Sequence, residues 1–463
     1  MTATISPAIQ VTIHDAQGNV ETASTDSITV RMGTNPRGAT LSGTTTAAAV
    51  SGVATFSDLK IDKAGIGYTL TAAGTGFSTA TSNAFNVFTP LTAMSAGRYH
   101  TCGLIGGGAT YCWGDNSEGQ VGDFSTNETE PVAVFGVPAL VSLSAGAGHT
   151  CGLTSAGAAY CWGLNTNGEL GDSGATSAVI AVPGGHTFTS ITAGLSHTCG
   201  LTSNGAAYCW GQNAYGQLGT GATSGDSAAP ATVTGGLAFT SVTAGGLHTC
   251  GLTAAGVAYC WGYNGQGALG SGSFGGTVTA PAVVAGGLVF AKLVASAPVN
   301  LDDRTCGLTS GGNAYCWGSN SAGELGDGST ANRSSPVAVL GGLTFQSIGM
   351  GTDHACGLTL GGAVYCWGYN GDGQLGDGTT INRSAPVAAA SGFTFVSLIV
   401  GGYHTCGLTP DGSAWCWGYD GDGELGDGSS TNTTSPVRVQ GPVFQAPATT
   451  VQATISNSGR GMR

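Results

Sequence analysis

The chain has 463 residues, 83 of them glycine, with 12 Lys plus Arg against 25 Asp plus Glu and a formal net charge of -13. Charged residues make up only 8% and apolar residues 41%, which excludes a highly charged disordered chain; no Gly-X-Y period and no membrane-length apolar run is present. The three lysines, Lys60, Lys63 and Lys292, cannot supply the clustered cations that nucleic acid or an anionic membrane surface demands.

Residues 1–88 contain neither cysteine nor tryptophan. Alternating runs at 9–13, 27–31, 53–56 and 68–72 are separated by DAQGN, GTNPRG and DKAGIG, a pattern that predicts an all-β sandwich. The run ATFSDLKIDKAGIGYTLTAAGTG resembles bacterial immunoglobulin-like domains of surface proteins and adhesins, and the resemblance implies a spacer. Members of that family carry a further strand before the part matching SPAIQVTIHD, where this sequence has only MTATI. A missing edge strand is expected to leave unpaired backbone groups beside an open apolar slot. The opening MTATISPAIQ, with no basic start and no apolar segment, does not read as a secretory signal.

Beyond this segment the sequence repeats itself. HTCGLTSAGAAYCWG begins at His149, HTCGLTSNGAAYCWG at His197 and HTCGLTAAGVAYCWG at His248; related strings contain Cys102, Cys306, Cys356 and Cys406. The first cysteines are spaced by 49, 48, 51, 56, 50 and 50 residues. Each unit reads as four short strands, for example 394–398, 404–408, 414–417 and 436–439, because glycine interrupts too often for helix. Seven such units fit the blades of a propeller, whose closure protects strand edges. The G-x-x-H-T, Y-x-W-G and G-Q-L-G-D-G elements resemble those of the regulator of chromosome condensation family over residues 91–440, which implies a seven-bladed β-propeller. The expected fold is all-β: an immunoglobulin-like β-sandwich over 1–88, the propeller over 89–442 and a C-terminal tail over 443–463. The nucleotide-exchange activity of the eukaryotic family member is not carried over, since its inserted wedge and basic tail are missing.

All 14 cysteines fall in C-x9-C pairs: Cys102–Cys112, Cys151–Cys161, Cys199–Cys209, Cys250–Cys260, Cys306–Cys316, Cys356–Cys366 and Cys406–Cys416. A glycine near each midpoint predicts a hairpin that sets the two cysteines opposite each other, within disulfide reach. Free buried thiols are the alternative; zinc is disfavoured by the spacing. Seven disulfides place the protein in an oxidising setting, extracellular or at the cell surface.

The repeat histidines His100, His149, His197, His248, His354 and His404, with Arg304 in the fifth repeat, are expected to bond between strands or blades, because a ring keeps equivalent residues too far apart to ligate one metal. The turn acids Asp420, Asp422, Glu424 and Asp427 offer alternate oxygens that suit calcium. The matching turn YNGQGALGSG has no acid, so the turn is structural first. Glycosylation sequons stand at Asn127, Asn332, Asn382 and Asn432. No nucleophile elbow, zinc-protease motif or phosphate loop occurs, and no cofactor is called for. The expectation is a non-catalytic secreted or cell-surface protein whose propeller binds a protein or a surface glycan through Tyr263, Tyr369 and Tyr419. Two alternatives are a filament subunit joined by donor-strand exchange through residues 443–456, where ATTVQATIS alternates apolar with polar, and a secreted enzyme inhibitor.

Overall fold

A computed structural model describes residues 3–456 apart from 6–7, 37, 64, 88–89, 124, 175–177, 224, 297–300 and 441–451. Every regular element among the described residues is a β-strand. Backbone contacts divide the chain into two units: Met1–Pro90 with Gln440–Arg463, and Leu91–Val439.

In the first unit, the strand Ile9–His14 lies between Val53–Phe56, antiparallel to it, and Gln452–Ser456, parallel to it. A four-stranded sheet runs Ala80–Thr81, Leu70–Gly74, Ser27–Met32, Thr46–Ala48. Alternation decides which side is buried: Ile9, Val11 and Ile13 are covered while Gln10 is exposed. They join Ile28, Val30, Phe56, Leu59 and Leu70 in one core. The tail therefore corrects the expectation of a separate C-terminal region. Residues 452–456 are seated on the chain's own N-terminal unit, because an uncharged alternating strand satisfies the backbone edge of Ile9–His14. The rest of the proposed donor segment, 443–451, lies outside the described residues.

The second unit contains seven four-stranded antiparallel sheets, each with its strands in sequence order. The first is Leu91–Ala96, His100–Ile105, Thr110–Gly114 and Glu128–Ala133; the seventh is Ser397–Val400, His404–Leu408, Ala414–Gly418 and Thr433–Arg438. The seventh sheet's first strand starts at Ser397, later than the alternation at 394–398 suggests. Phe395 there is spent on a turn, its N–H donating to Gly362 O. In every sheet the two cysteines are direct register partners, and all seven disulfides form with Cα atoms 4.1 Å apart.

The second strand of a sheet is buried along its length, whereas the fourth is mostly half-exposed. That is why the HTCGL run carries glycine. A Cβ on Gly200 would lie 2.5 Å from the Phe188 ring, and one on Gly407 would lie 2.4 Å from Phe395. The glycine after each tryptophan is required for a different reason: Gly114 has φ +101° and Gly418 has φ +108°, beyond what other side chains tolerate.

Neighbouring sheets are joined by one recurring device. The turn after the third strand presents a backbone carbonyl that takes two donors from the next sheet. Gln120 O accepts from Trp162 Nε1 at 2.9 Å and Thr150 Oγ1 at 3.2 Å. Because the threonine proton is used there, the same oxygen must accept from the histidine behind it, His100 Nε2, at 2.7 Å. Donor bookkeeping thus puts a proton on the imidazole Nε2. Equivalent His–Thr bonds are His149–Thr198, His197–Thr249, His248–Thr305 and His354–Thr405. His404 then bonds Thr101 of the first sheet at 2.7 Å, while Glu424 O accepts from Trp113 and Thr101. The row of joints closes on itself.

Candidate binding surface at the channel mouth

The first strands of all seven sheets end around a channel of about 230 Å³, lined by Ser95, Ala145, Thr192, Thr243, Val294, Met350 and Val400 among others. Its lining mixes small apolar residues with the hydroxyls of Ser95, Thr192, Thr243 and Thr352, and carries one charged residue, Arg98. The residue before each second strand is held against the residue after each Trp-Gly pair by a backbone bond. Asp115 N donates to Tyr99 O at 2.7 Å, Tyr369 N to Asp353 O at 2.7 Å and Tyr419 N to Tyr403 O at 3.0 Å. These two positions vary from sheet to sheet while the flanking His, Cys, Trp and Gly recur. A constant scaffold carrying variable, adjacent positions is where recognition is placed.

At consecutive sheets those positions gather aromatic groups. Tyr99 stacks on Tyr403 with centroids 5.2 Å apart, and Tyr419 lies 5.8 Å from Tyr99 and 6.2 Å from Tyr403. The Arg98 guanidinium carbon sits 4.6 Å from the Tyr99 centroid and 5.8 Å from that of Tyr403, and its Nη2 donates to the Tyr99 hydroxyl at 3.2 Å. Its Nε is buried with no hydrogen-bond partner among the described residues. Burial, and then the neighbouring Tyr403, push the Tyr99 phenol up to about 12. Burial also raises Tyr369 and Tyr419, helped by acids: Asp372 and Asp353 for the first, Glu424, Asp422, Asp372 and Asp115 for the second. The mouth is thus a set of half-buried phenols with one stacked arginine and a carboxylate rim.

Of the three tyrosines singled out from the sequence, Tyr419 belongs to this cluster and Tyr369 flanks it. Tyr263 stands apart from both; its partner is Tyr215, 5.0 Å away edge-on. Tyr99, Tyr403 and Arg98 escape a reading that looks only at the Asn/Asp-rich turns. The signal that finds them is the residue preceding each histidine, compared repeat by repeat.

The acidic turn does not gather as a calcium site. Asp420 accepts from Leu425 N, Ser429 Oγ and Thr431 N; Asp422 accepts from Asn127; Glu424 accepts from Asp422 N; and Asp427 accepts from Ser429 N. Each carboxylate is used to hold a turn, and no group of three ligating side chains converges among the described residues. Burial raises the Asp420 carboxyl to about 6. The sequon asparagines also have structural work. Asn127, Asn332, Asn382 and Asn432 each accept a backbone N–H through Oδ1. The amide nitrogen that would carry a glycan donates to Asp422, Gln266 and Asp372 in three of them.

The fifth sheet departs from the rule. Arg304 is fully buried and donates to Thr352 O, to Ser319 O at 3.3 Å and to Glu324 Oε1 at 3.1 Å. The threonine that a histidine would need on the sixth sheet is Ala355. The loop before Arg304 ends in buried Asp303, whose Oδ2 accepts from Leu247 N at 2.8 Å; residues 297–300 of that loop lie outside the described residues.

Repeated four-stranded sheets joined through their second and third strands into a closed row, with variable positions around a central channel, define the propeller class. The chain belongs to the RCC1-like domain family, whose model matches residues 140–458; regulator of chromosome condensation (RCC1) repeats match at 91–120 and 107–153. Among solved structures, human WBSCR16 is 19% identical with a TM-score of 0.63, covering 83% of this chain and 100% of that one. Yeast RCC1 (Prp20), solved bound to Kap60, is 19% identical with a TM-score of 0.64, covering 76% and 85%. Prp20p from Saccharomyces cerevisiae, studied with its binding to Gsp1p and histones, is 20% identical with a TM-score of 0.61, covering 76% and 88%. At these identities the likeness is one of fold.

Proposed function

We propose that this is a non-catalytic binding protein of the cell exterior, in which an immunoglobulin-like spacer presents a seven-bladed propeller that grips a protein partner at the channel mouth. The observation that carries the reading is the cluster of Arg98, Tyr99, Tyr403 and Tyr419 at positions where the repeat is free to vary. Tyrosine offers large contact area at low entropic cost. The rim of Asp115, Asp353, Asp372 and Asp422 favours a partner that brings Lys or Arg side chains among apolar groups. Seven cystines and no free thiol support an oxidising setting. Yeast RCC1, which shares the fold, is bound by the protein Kap60 in its crystal structure.

The test is the triple variant Tyr99→Ala, Tyr403→Ala, Tyr419→Ala, compared with the parent for capture of proteins from the native surface fraction and for signal on a glycan array. Central aromatic anchors are worth about 2 kcal/mol or more each, so protein capture should fall at least about 100-fold with the disulfides and melting temperature preserved. Undiminished capture would remove the mouth from consideration. An array signal that the triple variant abolishes would reassign the partner to a glycan.

A further inference from the structure

Among the described residues, 29 strand pairings are formed and one is parallel: Ile9–His14 with Gln452–Ser456. Antiparallel neighbours follow from local hairpins, but a parallel partner has to be delivered by a long connection. Here the partner comes from the far end of the chain, after the whole seven-sheet unit. Its register is continuous, Gln10 to Gln452, Val11 to Ala453, Thr12 to Thr454, Ile13 to Ile455 and His14 to Ser456. The strand order Gln452–Ser456, Ile9–His14, Val53–Phe56 makes the donated strand an edge, so removing it breaks no other pair. It would uncover the backbone groups along one side of Ile9–His14, whose apolar residues Val11 and Ile13 close the core beneath.

We propose that this slot is an interaction surface for a second copy of the chain: strand 452–456 of one molecule pairs with 9–14 of another, replacing the bond made within one chain. The ladder between two molecules has the same hydrogen bonds and the same register as the ladder within one, so exchange is governed by concentration rather than by new chemistry. Each molecule owns one donor and one slot, so exchange gives reciprocal dimers or a head-to-tail chain. This goes beyond partner binding at the channel mouth and stands whether or not that surface acts.

Two full-length variants separate the roles. Ala453→Pro spoils the donor, because in this register the N–H of residue 453 faces Ile9–His14 and proline lacks it, and Thr12→Pro spoils the slot. Each alone should run as a monomer by native mass spectrometry, and a mixture should give a species of twice the mass containing one of each. The Thr12→Pro chain needs only its tail for this, so damage to its N-terminal unit does not confuse the result. In parallel, isotope-labelled and unlabelled parent chains, mixed at high concentration, should form mixed-label oligomers. Monomers throughout, in both the variant mixture and the concentrated parent, would overturn the proposal.

Discussion

Six joints between neighbouring sheets use a histidine and a threonine, whereas the joint between the fifth and sixth sheets uses a buried arginine and no threonine. The shared element is the turn carbonyl that takes the tryptophan N–H: Glu324 O accepts from Trp367 at 2.8 Å, as Gln120 O does from Trp162 at 2.9 Å. Burial keeps five of these histidines neutral, lowering His100, His197, His354 and His404 to about 3 and His149 to about 4. A joint is therefore a two-residue unit. When histidine becomes Arg304, the facing threonine becomes Ala355, and the guanidinium finds its acceptors in Glu324, Ser319 and Thr352 instead.

The strongest challenge to this contrast is Glu324→Ala. It strands a buried guanidinium, and loss of one partner of a buried pair costs about 3–5 kcal/mol, to be read as a lowered denaturant midpoint. Arg304→His should cost nearly as much, because Ala355 offers no hydroxyl and Glu324 is left unpaired. Adding Ala355→Thr should recover part of that loss; a double variant no better than the single would refute the two-residue rule.

Each cystine closes a hairpin inside a sheet, and Cys151 Sγ only grazes the joint threonine, 4.0 Å from Thr198 Oγ1, so its contribution should depend little on the kind of joint. Replacing both cysteines of Cys151–Cys161 or of Cys306–Cys316 by alanine opens a loop of about 11 residues and should cost about 2–3 kcal/mol in either place. A large difference between the two would show that joint and cystine are coupled.

Glutamate occupies three joints, at Glu169, Glu324 and Glu424, and the last two have opposite fates, which gives a pH test. Glu324 faces Arg304, whereas Glu424 is buried with Oε1 lacking a hydrogen-bond partner among the described residues. Burial pushes the Glu424 carboxyl from 4.5 up to about 9. The folded state therefore holds a proton that the unfolded state releases, and stability falls as pH rises from about 4.5 to about 9. Glu424→Gln, the residue at the equivalent Gln120, Gln217 and Gln374, should flatten that slope and raise stability at pH 8 by about 2 kcal/mol. A slope unchanged by the substitution would exclude Glu424 as its source. The smallest effect is expected from Thr198→Ala at an ordinary joint, about 1–2 kcal/mol from one orphaned imidazole donor, checked by urea unfolding.

The seven sheets and their cystines were legible because period, cysteine spacing and midpoint glycine all state the same hairpin. The Arg304 departure was visible as a letter change, but its consequence at Ala355 lies 51 residues away and needs the ring to bring the two positions together. The aromatic mouth was half legible. Tyr419 stands in a conspicuous turn, whereas Tyr99 and Tyr403 precede strands and become neighbours only when the seventh sheet meets the first. The final strand was recognisable by its alternation and was expected to fill an open edge of a neighbour's N-terminal unit; its register beside Ile9–His14 of its own chain was not legible, since nothing local specifies a partner some 440 residues earlier.

Sulfur bridges in every sheet are the ground on which we propose an oxidising setting for this protein. Alkylation of material taken from its native source without reductant, followed by intact-mass measurement, addresses this directly. No alkylated cysteine is expected before reduction and 14 after it; 14 alkylated cysteines in the unreduced sample would overturn both the bridges and the oxidising setting.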